Sequence, residues 1–374
     1  MVPLGRRTLL HHRRRLLAAL AGVVFAVVLV NAEVGILLGF IANSSGFIDR
    51  MPADVWVMAA GTPNFDMCHS FSEPTLQRVR GVSGVEWAEK MIVAWGVWKT
   101  PEGIEENVEA VGLPPGGHLG IPWPVEAPEA AELLEPYGVI IDRGEQARLR
   151  VTGAGAVAEL TGRRVKVVGF TRGLRSFTTT PYAIMRFDDA ASASLVPPGA
   201  TNYILVKAAR GTSPGELCAR LRSELPHVDV LTSGQFRKRT HDYWLYTTGV
   251  GMAFLMAALL GFLVGGAVVG QVLYAMVVEQ RAEFGVLKAM GAGRGFLCRT
   301  VLGQALIIAL AGYAAGALLT VPLVWVTRAA GTPMLVTVPL IFGGLGAVLL
   351  VCLGAAVLPL VKLLRLEPAL VFRG

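Results

Sequence analysis

The sequence predicts an integral membrane protein with four transmembrane α-helices in a 1+3 arrangement and a large α+β extracytoplasmic domain inserted between helices 1 and 2. Three observations predict this fold class. Of the 374 residues, 53% are hydrophobic and only 16% are charged, which is too apolar a composition for an ordinary soluble protein of this length. The apolar residues are concentrated in four long stretches, and basic residues gather beside these stretches.

Each apolar stretch is long enough to cross a bilayer. The stretches are residues 16–42, 245–278, 301–327 and 334–361, and only the first contains a charged residue, Glu33. Each exceeds the roughly 18 apolar residues that mark a spanning helix. The predicted order is a basic cytoplasmic N-terminus (1–15), transmembrane helix 1 (16–42), the extracytoplasmic domain (43–240), a stalk and transmembrane helix 2 (241–278), a cytoplasmic helix and loop (279–299), transmembrane helix 3 (300–327), an outer loop (328–335), transmembrane helix 4 (336–361) and a cytoplasmic C-terminus (362–374).

The distribution of charge predicts the orientation. The net charge is +7, but residues 43–240 hold 21 Lys and Arg against 22 Asp and Glu, so the positive excess lies beside the membrane spans. Of the 13 basic residues outside 43–240, 12 lie on one side if both termini are cytoplasmic, as the positive-inside rule requires. We therefore expect a multi-pass protein of the cell (inner) membrane with residues 43–240 outside. The same distribution removes the support for nucleic-acid binding.

The N-terminus has two interpretations. The segment GRRTLLHHRRR before an apolar run resembles a secretory signal, or a twin-arginine one. However, the apolar run continues through VGILLGFIA, to about twice the usual length of a signal's core. An uncleaved membrane anchor is the favoured interpretation.

The segment 43–240 has the pattern of an α+β domain. ADVWVMAAG, EWAEKMIVAWGVWKT, ENVEAVGL, RRVKVVGFTRG and PYAIMRF are rich in β-branched and aromatic residues and predict strands. PPGGHLGIPWPVEAP predicts a loop because it is rich in Pro and Gly. Residues 201–232 predict strand, helix and strand, with the helix beginning near Ser213 and Pro214.

The second apolar stretch is too long for one bilayer crossing. Its 34 residues would form a helix of about 51 Å, against a hydrocarbon core of about 30 Å. We therefore expect the helix to extend beyond the membrane as a stalk. Small residues at a spacing of four let helices approach closely in lipid, either within one chain or across a dimer interface, and both remain open. These residues are Gly261, Gly265, Gly266, Gly270, Gly312 and Gly316.

Three side chains have open roles. Glu33 is either an intramembrane functional carboxylate or a group that reaches the headgroup level, and the second is favoured. Cys68 and Cys218 lie in the outer domain, where a disulfide is chemically permitted. Two unpaired thiols are the simpler interpretation.

The sequence contains no motif for catalysis or cofactor binding. There is no G-x-x-x-x-G-K-[ST], no G-x-S-x-G and no H-E-x-x-H, and the six histidines are scattered. The outer domain holds many carboxylates, but spacing alone pairs none of them for acid–base chemistry. We predict a protein that is not an enzyme and that has no catalytic, cofactor-binding or metal-binding residues of its own.

The charged segment between the second and third spans, EQRAEFGVLKAMGAGR, predicts a short amphipathic helix facing the cytoplasm. Phe284, Leu287 and Met290 form an apolar stripe at i, i+3 and i+6, and Gly291 and Gly293 end the helix. Its role from spacing alone is either docking of a partner or a solvated interfacial turn.

This segment resembles the cytoplasmic coupling region of the MacB/FtsX/LolC-LolE family, the type VII ABC transporter permeases. Members of this family carry a pattern of the form E-x-R-x-E-[IFV]-G-[ILV]-x-[KR]-A-x-G-A, and the 1+3 order of spans around a large outer domain matches as well. The C-terminal LEPALVFRG resembles the D-P-A-x-V-F-R-G ending of the DevC-like branch, with Glu367 in place of Asp. The residues that match the coupling motif are Glu279, Arg281, Glu283, Phe284, Gly285, Val286, Lys288, Ala289, Gly291 and Ala292.

The resemblance implies a permease dimer that sits on separate ATPase subunits, which bind the ATP. ATP-driven motion would pass from the coupling helices through the stalks to the outer domains, and the chain would be an exporter of a lipid, glycolipid, peptide or drug-like molecule. DevC-like members also work with a membrane fusion protein and an outer-membrane duct. The resemblance assigns ATPase coupling to Glu279, Arg281, Glu283, Phe284, Gly285, Leu287, Lys288 and Gly291.

Two alternatives to the exporter are open. An FtsX-like signalling subunit would use the same mechanics to regulate a cell-wall hydrolase. A membrane-anchored extracytoplasmic enzyme would leave the segment 279–294 unexplained.

Overall fold

The computed structural model describes residues 13–126, 135–176, 178, 180–279, 281–290, 292–329 and 334–364. The chain divides into two compact units. The outer unit is Phe40–Gly249, and the membrane unit combines the described residues before Phe40 with those after Gly249. Most of the predicted basic N-terminus and the LEPALVFRG ending lie outside the described residues.

Helix α1 (Arg13–Ser44) contains the first apolar stretch and ends in the outer unit. The further helices of the outer unit are α2 (Gly46–Arg50), α3 (Thr75–Gly81), α4 (Phe187–Ser192), α5 (Pro214–Glu224) and α6 (Ser233–Asp242). Its strands are β1 (Val55–Ala59), β2 (Phe71–Ser72), β3 (Val85–Lys99), β4 (Glu105–Leu113), β5 (Val125–Glu126), β6 (Gly138–Asp142), β7 (Val157–Leu160), β8 (Arg163–Thr171), β9 (Tyr182–Arg186), β10 (Ala200–Thr201), β11 (Tyr203–Ala208) and β12 (Val228–Thr232).

Among the described residues of the outer unit, ten strands form one sheet in the order β12-β1-β11-β3-β4-β9-β6-β8-β5, with β7 paired to β3 and β8. The pairs β4–β9 and β6–β8 are parallel, and the other pairs are antiparallel. The 15-residue strand β3 connects the two parts of the sheet, because β11 pairs with its first half and β4 with its second half. The predicted α+β class is confirmed.

Alternating side chains of β1 enter two different cores, as the two-residue period of a strand requires. Val55 and Val57 pack with the apolar face of α5, whereas Trp56 packs with the aromatic side chains of a second core. In that core the Phe65 and Tyr203 rings are stacked with their centroids 5.6 Å apart. A third core lies under the second half of the sheet.

Helix α5 begins where the sequence predicts. The Ser213 hydroxyl accepts a hydrogen bond from the Glu216 amide, and the Glu216 carboxylate accepts one from the Ser213 amide. This capping box satisfies two amides that a helix start leaves unpaired, and Pro214 fits the first turn because it has no amide to pair.

In the membrane unit, α1 is joined by α7 (Val250–Glu279), α8 (Arg281–Ala289), α9 (Arg294–Ala329), α10 (Val338–Ala355) and α11 (Val357–Leu364). Among the described residues, four helical segments are long and apolar enough to cross a membrane: Leu16–Ser44, Val250–Glu279, Arg294–Thr327 and Val338–Leu364. Four spans in a 1+3 arrangement are therefore confirmed.

The second span begins later than predicted. Helix α6 ends at Asp242, a π-helical turn covers Tyr243–Thr247, and α7 begins at Val250. Gly249 lies between them with a φ of 75°, in the left-handed region that ends helices and favours glycine. The apolar stretch from residue 245 is therefore not one helix, and the predicted unbroken helix from Leu245 to Val278 is wrong. The assignment of 241–278 to a stalk and the second span stays a prediction. At 30 residues, α7 is still about 45 Å long.

The predicted fourth span is two helices rather than one. Helix α10 ends at Ala355 and α11 begins at Val357. Pro359 explains the interruption, because a proline in an unbroken helix cannot donate to the carbonyl four residues earlier and its ring would clash with that carbonyl.

The spaced glycines all face helices of the same chain. A Cβ added at Gly265 would lie 2.6 Å from the Ala26 side chain on α1, and one at Gly312 would lie 2.6 Å from Val23. Of the two arrangements left open by the sequence, the structure shows close packing within one chain. Gly261 and Gly316 also face α1, and Gly266 and Gly270 face α10.

Cys68 and Cys218 are both free thiols. The Cys68 Sγ donates to the Val93 carbonyl, and the Cys218 Sγ donates to the Val230 carbonyl. The disulfide that the sequence permits is therefore absent, and the simpler interpretation is confirmed. Glu33 is half-buried on α1.

Candidate functional site

The segment between the second and third spans is helical, as predicted. Helix α8 covers Arg281–Ala289, and α9 begins at Arg294. At the end of α8, the Ala292 amide donates to the Leu287 carbonyl at 2.9 Å, so the chain turns tightly towards α9. Gly291, which the sequence analysis placed in this turn, lies outside the described residues.

One face of α8 is buried in the membrane unit. Phe284 is only 5% exposed and packs in the cluster that contains Val277, Leu297 and Leu363. On the same helix, the Lys288 Nζ donates to the Leu364 carbonyl at 3.3 Å, at the end of α11. This face of α8 therefore packs against α7, α9 and α11.

The opposite face of α8 exposes apolar side chains. Val286 is 45% exposed, Met290 is 75% exposed, and Phe296 at the start of α9 is 42% exposed. The Glu283 side chain is exposed as well. At about 100° per residue, Glu283, Val286 and Met290 fall within about 60° of each other around the helix. We call Glu283, Val286, Met290 and Phe296 the coupling surface.

The structure changes which residues of the coupling segment are accessible to a partner. Phe284 and Gly285 are buried in the chain itself, so neither side chain position is open to a partner. Met290 was placed on the same stripe as Phe284, but six residues rotate it by about 120° from Phe284, and it faces outward.

The remaining predicted coupling residues have different surroundings. Glu279 is exposed at the end of α7, and Leu287 and Lys288 are half-buried. The Arg281 side chain is not among those that the structure describes. Phe296 and Val286 were not among the predicted coupling residues. The signal for Val286 was the presence of apolar residues on both faces of a short helix.

The outer unit contains a buried acidic cluster that sequence spacing did not reveal. Glu109 on β4 lies opposite Tyr182 on β9, and the Tyr182 hydroxyl donates to the Asp66 Oδ1 at 2.7 Å. Burial raises the pKa of Asp66 to about 6. Burial and the charge of Asp66 raise the pKa of Glu109 well above its ordinary value. Among the described residues, no group of three or more His, Cys, Asp or Glu side chains is arranged to hold a metal ion.

Comparison with known families gives two matches. The family described as MacB-like periplasmic core domain matches residues 16–224, which is more than half of the chain. The family described as FtsX-like permease C-terminal matches residues 255–368. A separate comparison with curated proteins found no match.

Three solved structures match about half of the chain. The periplasmic region of MacB from Actinobacillus actinomycetemcomitans is 10% identical, with a TM-score of 0.35 over 51% of this chain and 94% of that one. The extracellular domain of the noncanonic ABC-type transporter YknZ from Gram-positive bacteria is 15% identical, with a TM-score of 0.33 over 48% and 98%. A domain of a putative permease protein from Porphyromonas gingivalis is 16% identical, with a TM-score of 0.32 over 50% and 90%.

The two family matches together cover the first span, most of the outer unit and nearly all of the last three spans. The outer unit lies in the part that matches a periplasmic domain, which indicates an inner-membrane protein with an extracytoplasmic domain. The chain belongs to the MacB/FtsX family of ABC transporter permeases, membrane subunits that work with an ABC ATPase.

Proposed function

We propose that this chain is the permease of an ABC exporter and that it transmits ATP-driven motion from a separate ATPase to its extracytoplasmic domain. The exported molecule would be a lipid, a glycolipid, a peptide or a drug-like compound. The observation that carries the proposal is the coupling surface, because Glu283 and Val286 on α8, Met290 directly after it and Phe296 at the start of α9 are exposed, whereas the other face of α8 is buried.

The composition of the coupling surface suits a protein partner. Burying a side chain such as Met290 or Phe296 in a partner's groove would contribute about 1.5–3 kcal/mol each. Glu283 beside them would fix the orientation, because a charge at the edge of an interface selects its partner more than it adds affinity. A helix presented in this way resembles the helix-in-groove mode of recognition.

The buried face of α8 supplies the mechanical connection. Phe284 packs against α7, α9 and α11, and Lys288 is bonded to the end of α11. A push on α8 would therefore move α7, which follows the outer unit directly in the chain. The close glycine contacts of α7 with α1 and α10 favour movement of the helices as a group rather than bending of one helix.

The proposal includes a homodimer of this chain on two ATPase subunits. It also includes a membrane fusion protein and an outer-membrane duct where the envelope provides them. The support for these partners is the family resemblance of the coupling segment and of the C-terminal sequence.

The test is co-purification of the cognate ATPase with the full chain, followed by the ATPase rate and by ATP-dependent efflux from cells. We expect Glu283→Arg/Met290→Ser to abolish ATPase binding and efflux while the permease stays folded in the membrane. Met252→Ser is the control, since Met252 is an exposed methionine at the other end of α7. Unchanged ATPase binding in the double variant would contradict the proposal, and so would equal loss in the control.

A further inference from the structure

An open groove of about 960 Å³ lies on the outer unit, beside the end of α6. Its volume is within the range of about 300–1,000 Å³ typical of small-molecule sites. The π-helical turn Tyr243–Thr247 that precedes α7 forms one side of the groove. The groove is separate from the coupling surface, which belongs to the membrane unit.

The charge of the groove is positive. Arg222, Lys238 and Arg239 line it, against one lining carboxylate, Asp242. Asp229 pairs with Arg239 and offsets one of these charges. The segment 43–240 as a whole is almost neutral, with 21 Lys and Arg against 22 Asp and Glu, so this is a local concentration of cations on a neutral domain.

The two arginines are fixed in position but keep donors to spare. The Arg222 Nε donates to the Val230 carbonyl at 2.7 Å, and its Nη2 donates to Gln235 at 3.1 Å. The Arg239 Nη1 donates to Asp229 at 2.5 Å. A guanidinium has five N–H donors, so each arginine can also bind an anion without giving up these contacts. Within the described residues, exposed Lys238 has no ion-pair partner.

The groove also lies close to the membrane along the chain. Tyr246, which lines it, is 78% exposed and is four residues before Val250, where the second span begins. Four residues reach at most about 14 Å even when fully extended. Tyrosine is enriched at the membrane–water interface, where its ring contacts lipid and its hydroxyl stays in water.

We propose that this groove binds the phosphate headgroup of an anionic phospholipid from the extracytoplasmic surface of the membrane. The phosphate would accept hydrogen bonds from Arg222 and Lys238, and the Tyr246 ring would contact the glycerol and the first part of an acyl chain. Such a site would hold the outer unit to the bilayer next to the start of α7. It requires no assumption about what the chain exports.

The test is a lipid titration of the purified full chain in detergent, with native mass spectrometry to count the lipids retained per chain. The probes are phosphatidylglycerol, zwitterionic phosphatidylcholine and inorganic phosphate. We expect Arg222→Glu/Lys238→Glu to lower the affinity of one retained phosphatidylglycerol by about 25-fold, because each of the two cations contributes a factor of about five to the attraction of an anionic lipid. Arg78→Glu on α3, an exposed arginine outside the groove, should leave the count unchanged.

A second variant distinguishes the loss of lipid binding from misfolding of the outer unit. Lys238→Gln/Tyr246→Ser leaves the Arg222 contacts intact and should also weaken the retention of one lipid. Unchanged retention in both variants would overturn the proposal, as would equal retention of phosphatidylcholine. Displacement of the lipid by millimolar inorganic phosphate would show a site for soluble anions and would also overturn it.

Discussion

The hydroxyl of Tyr182 donates a hydrogen bond of 2.7 Å to Asp66, and this bond brings a loop carboxylate into the interior of the extracytoplasmic sheet. Glu109 is 0% exposed on the neighbouring strand. Apart from each other, the Glu109 carboxylate and the Asp66 Oδ2 have no hydrogen-bond partner among the described residues. Two buried carboxylates without a paired cation are costly when both are ionised, so the pair holds a proton more tightly than exposed acids do.

The first prediction concerns pH. The pKa of Asp66 is raised to about 6 in the folded chain, so the fold binds a proton that the unfolded chain releases near pH 4. The free energy of unfolding should therefore fall as the pH rises from about 4 through 6, by on the order of 3 kcal/mol, and the raised pKa of Glu109 should continue the fall at higher pH. Thermal unfolding of the full chain in detergent between pH 4 and pH 8 measures this.

Glu109→Gln is the informative variant for that measurement. It removes the buried charge while keeping the size of the side chain, so the outer unit should become more stable at pH 8 and less sensitive to pH. Glu159→Gln on β7, at an exposed position, is the matched control and should change neither property. A pH profile that Glu109→Gln leaves unaltered would mean that the pair is not the source of the dependence.

The second prediction concerns the packing of the membrane helices. Gly265→Ala would place a methyl group 2.6 Å from Ala26, closer than real side chains approach, so α1 and α7 must separate. We expect a loss of about 1–3 kcal/mol in stability, seen as a lower thermal midpoint in detergent. Gly303→Ala on α9 is the control because an added Cβ there meets nothing within 4 Å, and it should be neutral or slightly stabilising.

The third prediction separates the two faces of α8. Phe284→Ala would leave a cavity in the membrane unit and should cost about 3–5 kcal/mol of stability. Val286→Ala shortens an exposed side chain two residues away. The free energy of unfolding should therefore be unchanged, while the affinity for the ATPase falls. Thermal unfolding together with ATPase titration tests the pair, and a stable Phe284→Ala variant would mean that the buried face is assigned incorrectly.

The sequence predicted the elements better than their contacts. The four spans follow from length and hydropathy, and strands such as β3 and β8 follow from their β-branched and aromatic residues. The start of α7 was missed because the apolar stretch continues through Gly249, where backbone conformation rather than hydropathy ends the helix. The Asp66–Glu109 pair was missed because only the folded sheet brings a loop and a strand together.

The coupling segment illustrates the same limit. Its helix and its position between the spans were predicted, because both depend on local pattern. The assignment of Phe284 and Met290 to one face was wrong, since a short helix with apolar residues all around it does not reveal which face meets the rest of the chain. The packing of α7, α9 and α11 determines which face of α8 is buried.

The most direct test of the central claim is site-specific photo-crosslinking in cells, with a photoreactive phenylalanine analogue at position 290. We expect the analogue at position 290, an exposed position directly after α8, to form an adduct with the ATPase subunit. The same analogue at Leu195, an exposed apolar position of the outer unit, should form none. An adduct at position 290 alone would establish a cytoplasmic docking surface on α8. No ATPase adduct at position 290, or an equal adduct at position 195, would contradict the account.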